Sequence, residues 1–194
     1  MTKDKVDLIV EQYPDVWKTR AAFMSFLKGI IRKGWSRHPV KLILLKKHRK
    51  QIPNPNPQGN KPTVWGADCS ICKGTFVMSE METDHHSDEV ASLTKIEDIQ
   101  SCVEKLLVIV EDDLRIVCKG CHSIVSLSQR LGCSFEEAKV RKEVIAFGKL
   151  SAESQIDRLK ELSLPIDKTK KGRQDTFEQW LKGREVQPKE KLQE

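Results

Sequence analysis

Cys69-Ser70-Ile71-Cys72, then Asp84-His85-His86, then Cys118-Lys119-Gly120-Cys121-His122: the reading of this succession decides the fold. Two residues between cysteines let a tight turn present both sulfurs to one cation, with backbone N–H groups aimed at them. Two such knuckles supply the four thiolates of a tetrahedral zinc ion. Cys72 and Cys118 stand 46 positions apart, so a shared ion would clamp the two ends of the segment between them. In a small domain with few aromatic residues, that clamp can contribute much of the folding energy. Cys102 and Cys133 lie outside the knuckles and read as small core residues.

Composition fits this picture. The 194-residue chain is 38% hydrophobic and 32% charged, with a net charge of +6. No run of apolar residues is long enough to cross a membrane, the longest being Leu106 to Val110, so no membrane partner is expected. Met1-Thr2-Lys3-Asp4 leads into no apolar segment of the kind a secretory signal needs, so a cytoplasmic location is expected. In such a reducing compartment, knuckle spacing reads as metal binding before disulfide formation.

Charge is unevenly distributed. From Val16 to Ala67 there are twelve Lys or Arg and no acid; from Met78 to Asp113 there are eleven acids and two lysines. A cationic block beside an acidic centre suits an enzyme in which cations hold phosphate and acids help hold metal. Lys18, Arg20, Lys28, Arg32, Lys33, Arg37, Lys41, Lys46, Lys47, Arg49 and Lys50 are the candidate nucleic-acid contacts. The plainer reading is a solvated basic face.

The pattern predicts a mainly helical α+β chain. Residues 3–12 read as a short helix stopped near Tyr13-Pro14. Asp15 is placed to cap a second, with Val16, Trp17, Phe23, Met24, Leu27, Ile30 and Ile31 near a 3.6-residue period. Val40 to Gln51 begins apolar and ends cationic. Ile52 to Pro62 holds four prolines and a glycine and reads as a semi-rigid linker. Thr75-Phe76-Val77 and Met81-Glu82-Thr83 are expected to pair as one hairpin. Thr94 and Glu97 form a capping box before the next helix, and Leu114 to Val117 is a strand delivering Cys118. Helices follow from Cys121 to Leu131, from Ser134 to about Gly148, after Ser151, and from Asp175 to Lys182. The expected organisation is a basic helical nucleic-acid-binding region (1–51), a linker (52–63), a zinc-clamped domain (64–149) and a Lys-rich helical extension (150–194).

Asp84-His85-His86 carries the chemistry. A carboxylate that binds a hard cation, beside an imidazole that takes a proton from water, makes a phosphodiester-cleaving pair. Neighbours on a strand point to opposite faces, so at most two of the three serve one site directly. His122 would be held near the pair by the second knuckle and the helix start. The plainer reading makes His85 or His86 a zinc ligand or surface residue, leaving Asp84 and His122 unused.

Over residues 65–131 the pattern resembles the HNH endonuclease family, with its ββα-metal fold and Cys-x-x-Cys zinc clamp. In that family a strand ends in Asp-His, and an Asn-Leu segment later leads into Cys-x-x-Cys-His at a helix start. Thr83-Asp84-His85, Asp113-Leu114-Arg115-Ile116-Val117 and Cys118 to His122 look like these elements. The resemblance implies a zinc-clamped ββα-metal core with helical N- and C-terminal extensions. It assigns Asp84 and His122 to a catalytic divalent metal, Mg²⁺ or another, and His85 to the general base. Cys69, Cys72, Cys118 and Cys121 would hold structural Zn²⁺.

There are three departures from the family. Asp113 stands where the base-orienting Asn is expected, and an aspartate can accept the same Nδ1–H bond. The connection from His86 to Leu114 holds a whole helix. The doubled histidine permits a shifted register, with His85 as ligand and His86 as base. The resemblance implies a metal-dependent DNA endonuclease of phage or mobile-element type, acting in the host-cell cytoplasm if phage-encoded. RNA is an alternative polyphosphate, and monomer and homodimer both stay open. The competing expectation is a non-catalytic zinc protein that binds nucleic acid; a weaker one is an interaction module using the acidic 78–113 stretch.

Overall fold

The computed structural model describes residues 4–56, 58, 60–86 and 93–185; part of the acidic stretch (87–92) and the last nine residues lie outside these. The chain divides into two compact units, Met1–His122 and Ser123–Glu194.

The first unit begins with helix α1, Lys5–Gln12, capped by the Asp4 carboxylate, which accepts from the Val6 and Asp7 N–H groups. Helix α2, Arg20–Ser36, starts later than the sequence suggested. Thr19, not Asp15, is its cap, accepting from Ala22 N–H, while Val16 and Trp17 N–H both turn back to the Tyr13 carbonyl. Helix α3, Pro39–His48, opens on a proline, whose missing N–H costs nothing in a first turn. Met24 on α2 packs with Leu93 and with Cys102 of α4, Ile99–Leu107, among Phe23, Leu27, Ile31, Ile99 and Leu106. Cys102 is thus a core residue, 1% exposed, as its place outside the knuckles implied.

The proline-rich stretch closes a hairpin. Strand β1, Lys50–Pro53, runs antiparallel to β2, Thr63–Asp68, with Lys50 opposite Gly66 and Pro53 opposite Thr63. Pro53 is tolerated because β1 is an edge strand. Asn54 ties the loop, its N–H donating to the Pro62 carbonyl and its side-chain amide to that of Lys61. Strand β3, Thr75–Val77, pairs with β2 and not with the Met81 arm. A single 3₁₀ turn, Met78–Glu80, redirects the chain between them. Gly66 lies where these strands crowd, since a Cβ there would stand 2.4 Å from Ile52 Cδ1 and 2.6 Å from the Phe76 carbonyl.

Strand β4, Met81–His85, pairs antiparallel with β5, Leu114–Cys118, in the register Glu82↔Val117, Asp84↔Arg115 and His85↔Leu114. Helix α5, Lys119–Leu131, follows β5 directly. Ahead of α4, the Thr94–Glu97 box gives way to Asp98, whose carboxylate accepts from Thr94 and Lys95 N–H.

In the second unit, Gly132 takes φ +61° and ends α5. Ser134 and Glu137 form the expected capping box for α6, Phe135–Gly148. Helices α7, Ala152–Glu161, and α8, Lys170–Glu185, complete a core of Val140, Phe147, Leu159, Phe177 and Leu181. Helix α8 exceeds the expected Asp175–Lys182 because Arg173, 6% exposed, is drawn inward. Its Nε donates to buried Gln155, and its Nη1 to the Asp167 and Lys168 carbonyls. Gln155 also donates to the Phe147 and Leu150 carbonyls. Each of these buried groups depends on the other, so Gln155→Ala should cost about 2–3 kcal/mol in urea unfolding of the intact chain.

Candidate metal centre and histidine cluster

The two knuckles meet. The sulfurs of Cys69, Cys72, Cys118 and Cys121 lie within 4.8 Å of one another and could hold a metal ion. Four sulfurs at about 2.3 Å from a tetrahedral ion stand about 3.8 Å apart, and Cys72 Sγ is 4.0 Å from Cys118 Sγ. The first knuckle is a closed turn: Lys73 N–H donates to the Cys69 carbonyl and Cys69 N–H to that of Gly74. Lys73 accepts φ +61° to make it. Backbone N–H groups point at sulfur, from Cys118 to Cys69 (3.3 Å) and from Cys121 to Cys118 (3.4 Å). Burial pushes the Cys118 and Cys121 thiols up. At Cys69 burial acts the same way, but N–H bonds from Cys118, Cys72 and Ile71 outweigh it and lower the pKa to about 6. Such a set, poised to lose protons when a cation arrives, fits a soft divalent metal.

The knuckle also supports the strand that carries the second cluster. Ser70 N–H donates to the Ile116 carbonyl of β5 at 2.8 Å. On the β4–β5 pair, Asp84 lies opposite Arg115, whose Nε and Nη2 both donate to Asp84 Oδ2, at 3.0 and 2.8 Å. The other oxygen, Oδ1, faces His122 Nε2 at 3.7 Å. His122 sits one residue beyond Cys121 in the first turn of α5, and its Nδ1 meets the Glu82 carboxylate. Glu82 and Asp84 are two apart on β4, so both lie on the face that meets His122.

His85 goes to the opposite face. Its ring packs on Trp35 of α2, centroids 4.4 Å apart, and its Nε2 is buried without a hydrogen-bond partner. Burial lowers its pKa, against the pull of Asp84 and a hydrogen bond to the Leu106 backbone, which favours the neutral ring. His38 joins this cluster: Nε2 is 3.0 Å from the Leu107 carbonyl, and Nδ1 is also unpaired.

Asp113 does not bond the His85 ring as the family pattern expected. Its Oδ2 accepts from Val110 N–H, because the 3₁₀ turn Glu111–Asp113 needs that cap. Its carbonyl accepts from His86 N–H at 2.7 Å. Still, His85, His86 and Asp113 line one cavity of about 220 Å³. His86 also lines a second, of about 170 Å³, with Arg115, His48, Ser70 and Asp68. Asp84 and His122 are therefore brought together, while His85, His86 and Asp113 gather beside the end of β4.

Of the candidate nucleic-acid contacts, Arg20 is held by Asp4 and Asp7, Lys47 by Glu111 and Lys50 by Asp68. Lys41 lies over the Trp35 ring and Arg49 over Trp65. Lys28 is half-buried; Lys18, Arg32, Lys33, Arg37 and Lys46 are exposed. Sequence reasoning passed over Glu82, Arg115 and Trp35. The alternation of β4 places Glu82 beside Asp84, while Arg115 needed the β4–β5 register. Trp35 needed the tertiary packing.

Metal analysis of the purified chain should find one equivalent of zinc, and Cys118→Ser should lose it and unfold the 1–122 unit. Chelator should lower the melting temperature of the wild type, and a metal-free chain melting at the same temperature would contradict the clamp. No family model, no curated protein and no solved structure matches the chain, so the chemistry of this centre stands on its own contacts.

Proposed function

We propose that this protein is a metal-dependent DNA endonuclease of the HNH type, with a structural zinc at the four cysteines. The observation that carries the reading is the convergence of Asp84 Oδ1 and His122 Nε2 at 3.7 Å, where β4 meets the start of α5. Two donors on adjacent vertices of an octahedral ion stand about 3 Å apart, so a small ring rotation suffices for both to reach one cation. A hard divalent ion held by only one or two protein groups keeps positions for water and substrate phosphate. When bound, that ion would supply Lewis-acid activation of the phosphodiester and of the leaving oxygen.

The chain's own groups supply the rest. Arg115 occupies Asp84 Oδ2 and so leaves Oδ1 directed at His122. His85 is the proposed base: burial favours its neutral form, its buried Nε2 is unpaired, and it is the last residue of β4. His85 stands on the face opposite Asp84, so acting as base would require its ring to leave Trp35. His86 is the alternative base, supported by its place with Arg115 in one cavity. The exposed cations of α2 and α3, with Lys18 ahead of α2, supply attraction for phosphate that is independent of base sequence.

The competing reading, a zinc protein that binds nucleic acid without cutting, is supported by the same cations and does not use the Asp84–His122 pair. Supercoiled plasmid incubated with the zinc-loaded chain and Mg²⁺ or Mn²⁺ separates the two. Nicking is expected from the wild type, with Asp84→Ala, His122→Ala and His85→Ala each at least 10²-fold slower. His86→Ala should retain most activity. Binding without nicking under every metal would reject the nuclease, and an intact His85 variant beside an inactive His86 variant would move the base.

A further inference from the structure

Glu82 and Asp84 approach His122 from opposite sides of its ring. Glu82 meets Nδ1, while Asp84 Oδ1 stands 3.7 Å from Nε2. The two carboxylates therefore cannot share a cation with one nitrogen of this imidazole. Among the described residues, the only set of three or more donors with mutual reach is the four cysteines. A carboxylate accepts hydrogen bonds and does not donate them, so contact with Glu82 favours the proton on Nδ1. Nε2 is then left with its lone pair facing Asp84. A carboxylate behind a metal-binding histidine fixes ring orientation and tautomer in this way, and raises the basicity of the ligating nitrogen.

The position of Glu82 is built in by the fold. It pairs with Val117, the residue before Cys118, so the register of β4 on β5 aligns it with the base of α5. His122 follows Cys121 immediately, and the knuckle fixes where its ring starts. Both side chains are about one-third exposed, 34% for His122 and 38% for Glu82, against 11% for Asp84. Unaided, a histidine that exposed would sample several orientations.

The geometry points to Glu82 as the positioning residue of the second metal centre: it holds His122 in the Nδ1–H tautomer with Nε2 aimed at the cation shared with Asp84. This rests on the proposed metal site, and its test separates the two ideas. The zinc-loaded chain is titrated with Mn²⁺ alone, without DNA, by calorimetry, and long-range ¹H–¹⁵N spectra report which His122 nitrogen carries the proton. The wild type should bind Mn²⁺ with the proton on Nδ1, and Asp84→Asn should abolish that binding. Glu82→Ala should weaken Mn²⁺ binding 10–100-fold and release the proton to Nε2, with zinc content and circular dichroism unchanged. Glu82→Gln, whose carbonyl accepts the same bond, should recover most of the affinity.

Equal affinity and an unchanged ring in Glu82→Ala would overturn the positioning role and leave the metal site standing. Loss in Glu82→Gln as deep as in Glu82→Ala, with no change of tautomer, would make Glu82 a ligand and overturn it too. A wild type with no Mn²⁺ binding that Asp84→Asn removes would overturn the metal site, and the role with it.

Discussion

Four cysteine sulfurs within 4.8 Å of one another are the constraint on which the first unit depends. Three of these residues are buried, and thiolates crowded there without a cation would repel one another and lack solvent. A shared ion removes that penalty and at once fixes the end of β2 against the β5–α5 junction. Its reach extends past the sulfurs. Ser70, inside the first knuckle, donates to Ile116, and β5 in turn sets the register of β4. Asp84, Arg115, Glu82 and His122 owe their mutual geometry to that chain of contacts. A cation at the knuckles would brace the contacts that bring Asp84 and His122 together.

Much of this was legible in the sequence, and for local reasons. Cys-x-x-Cys spacing is a turn geometry, so the cluster could be read directly. The Ser134–Glu137 box, the Gly132 stop, and the strand that delivers Cys118 likewise need only residues a few positions apart. Strand pairing depends on residues far apart in the chain. Thr75–Val77 and Met81–Thr83 are close enough to suggest a hairpin, but each finds its partner elsewhere, with β2 and β5. Proline density suggested a linker at 52–63, where β1 is an edge strand and can admit Pro53. The cap of α2 moved from Asp15 to Thr19 because the turn after Tyr13 took up the intervening residues.

In the site, sequence gave the donors and not their directions. Strand alternation said that Asp84 and His85 would diverge, and they do: one turns to His122 and the other to Trp35. Nothing local placed Trp35 beside β4, or turned the Asp113 carboxylate to Val110. The cationic block is also narrower in effect than its count suggests. Arg20, Lys47 and Lys50 are held by acids, and exposed pairs of that kind contribute little to stability. They do reduce the unpaired cationic charge of the block, leaving Lys18, Arg32, Lys33, Arg37 and Lys46 exposed.

We propose that this chain carries two metal centres of different character, one closed by sulfur and one open between Asp84 and His122. Crystals soaked in Mn²⁺, with anomalous diffraction recorded on both sides of the manganese and zinc edges, test it most directly. A zinc peak among the four sulfurs and a separate manganese peak between Asp84 Oδ1 and His122 Nε2 are the expected result. A zinc peak alone, or manganese bound only at other carboxylates, would contradict it.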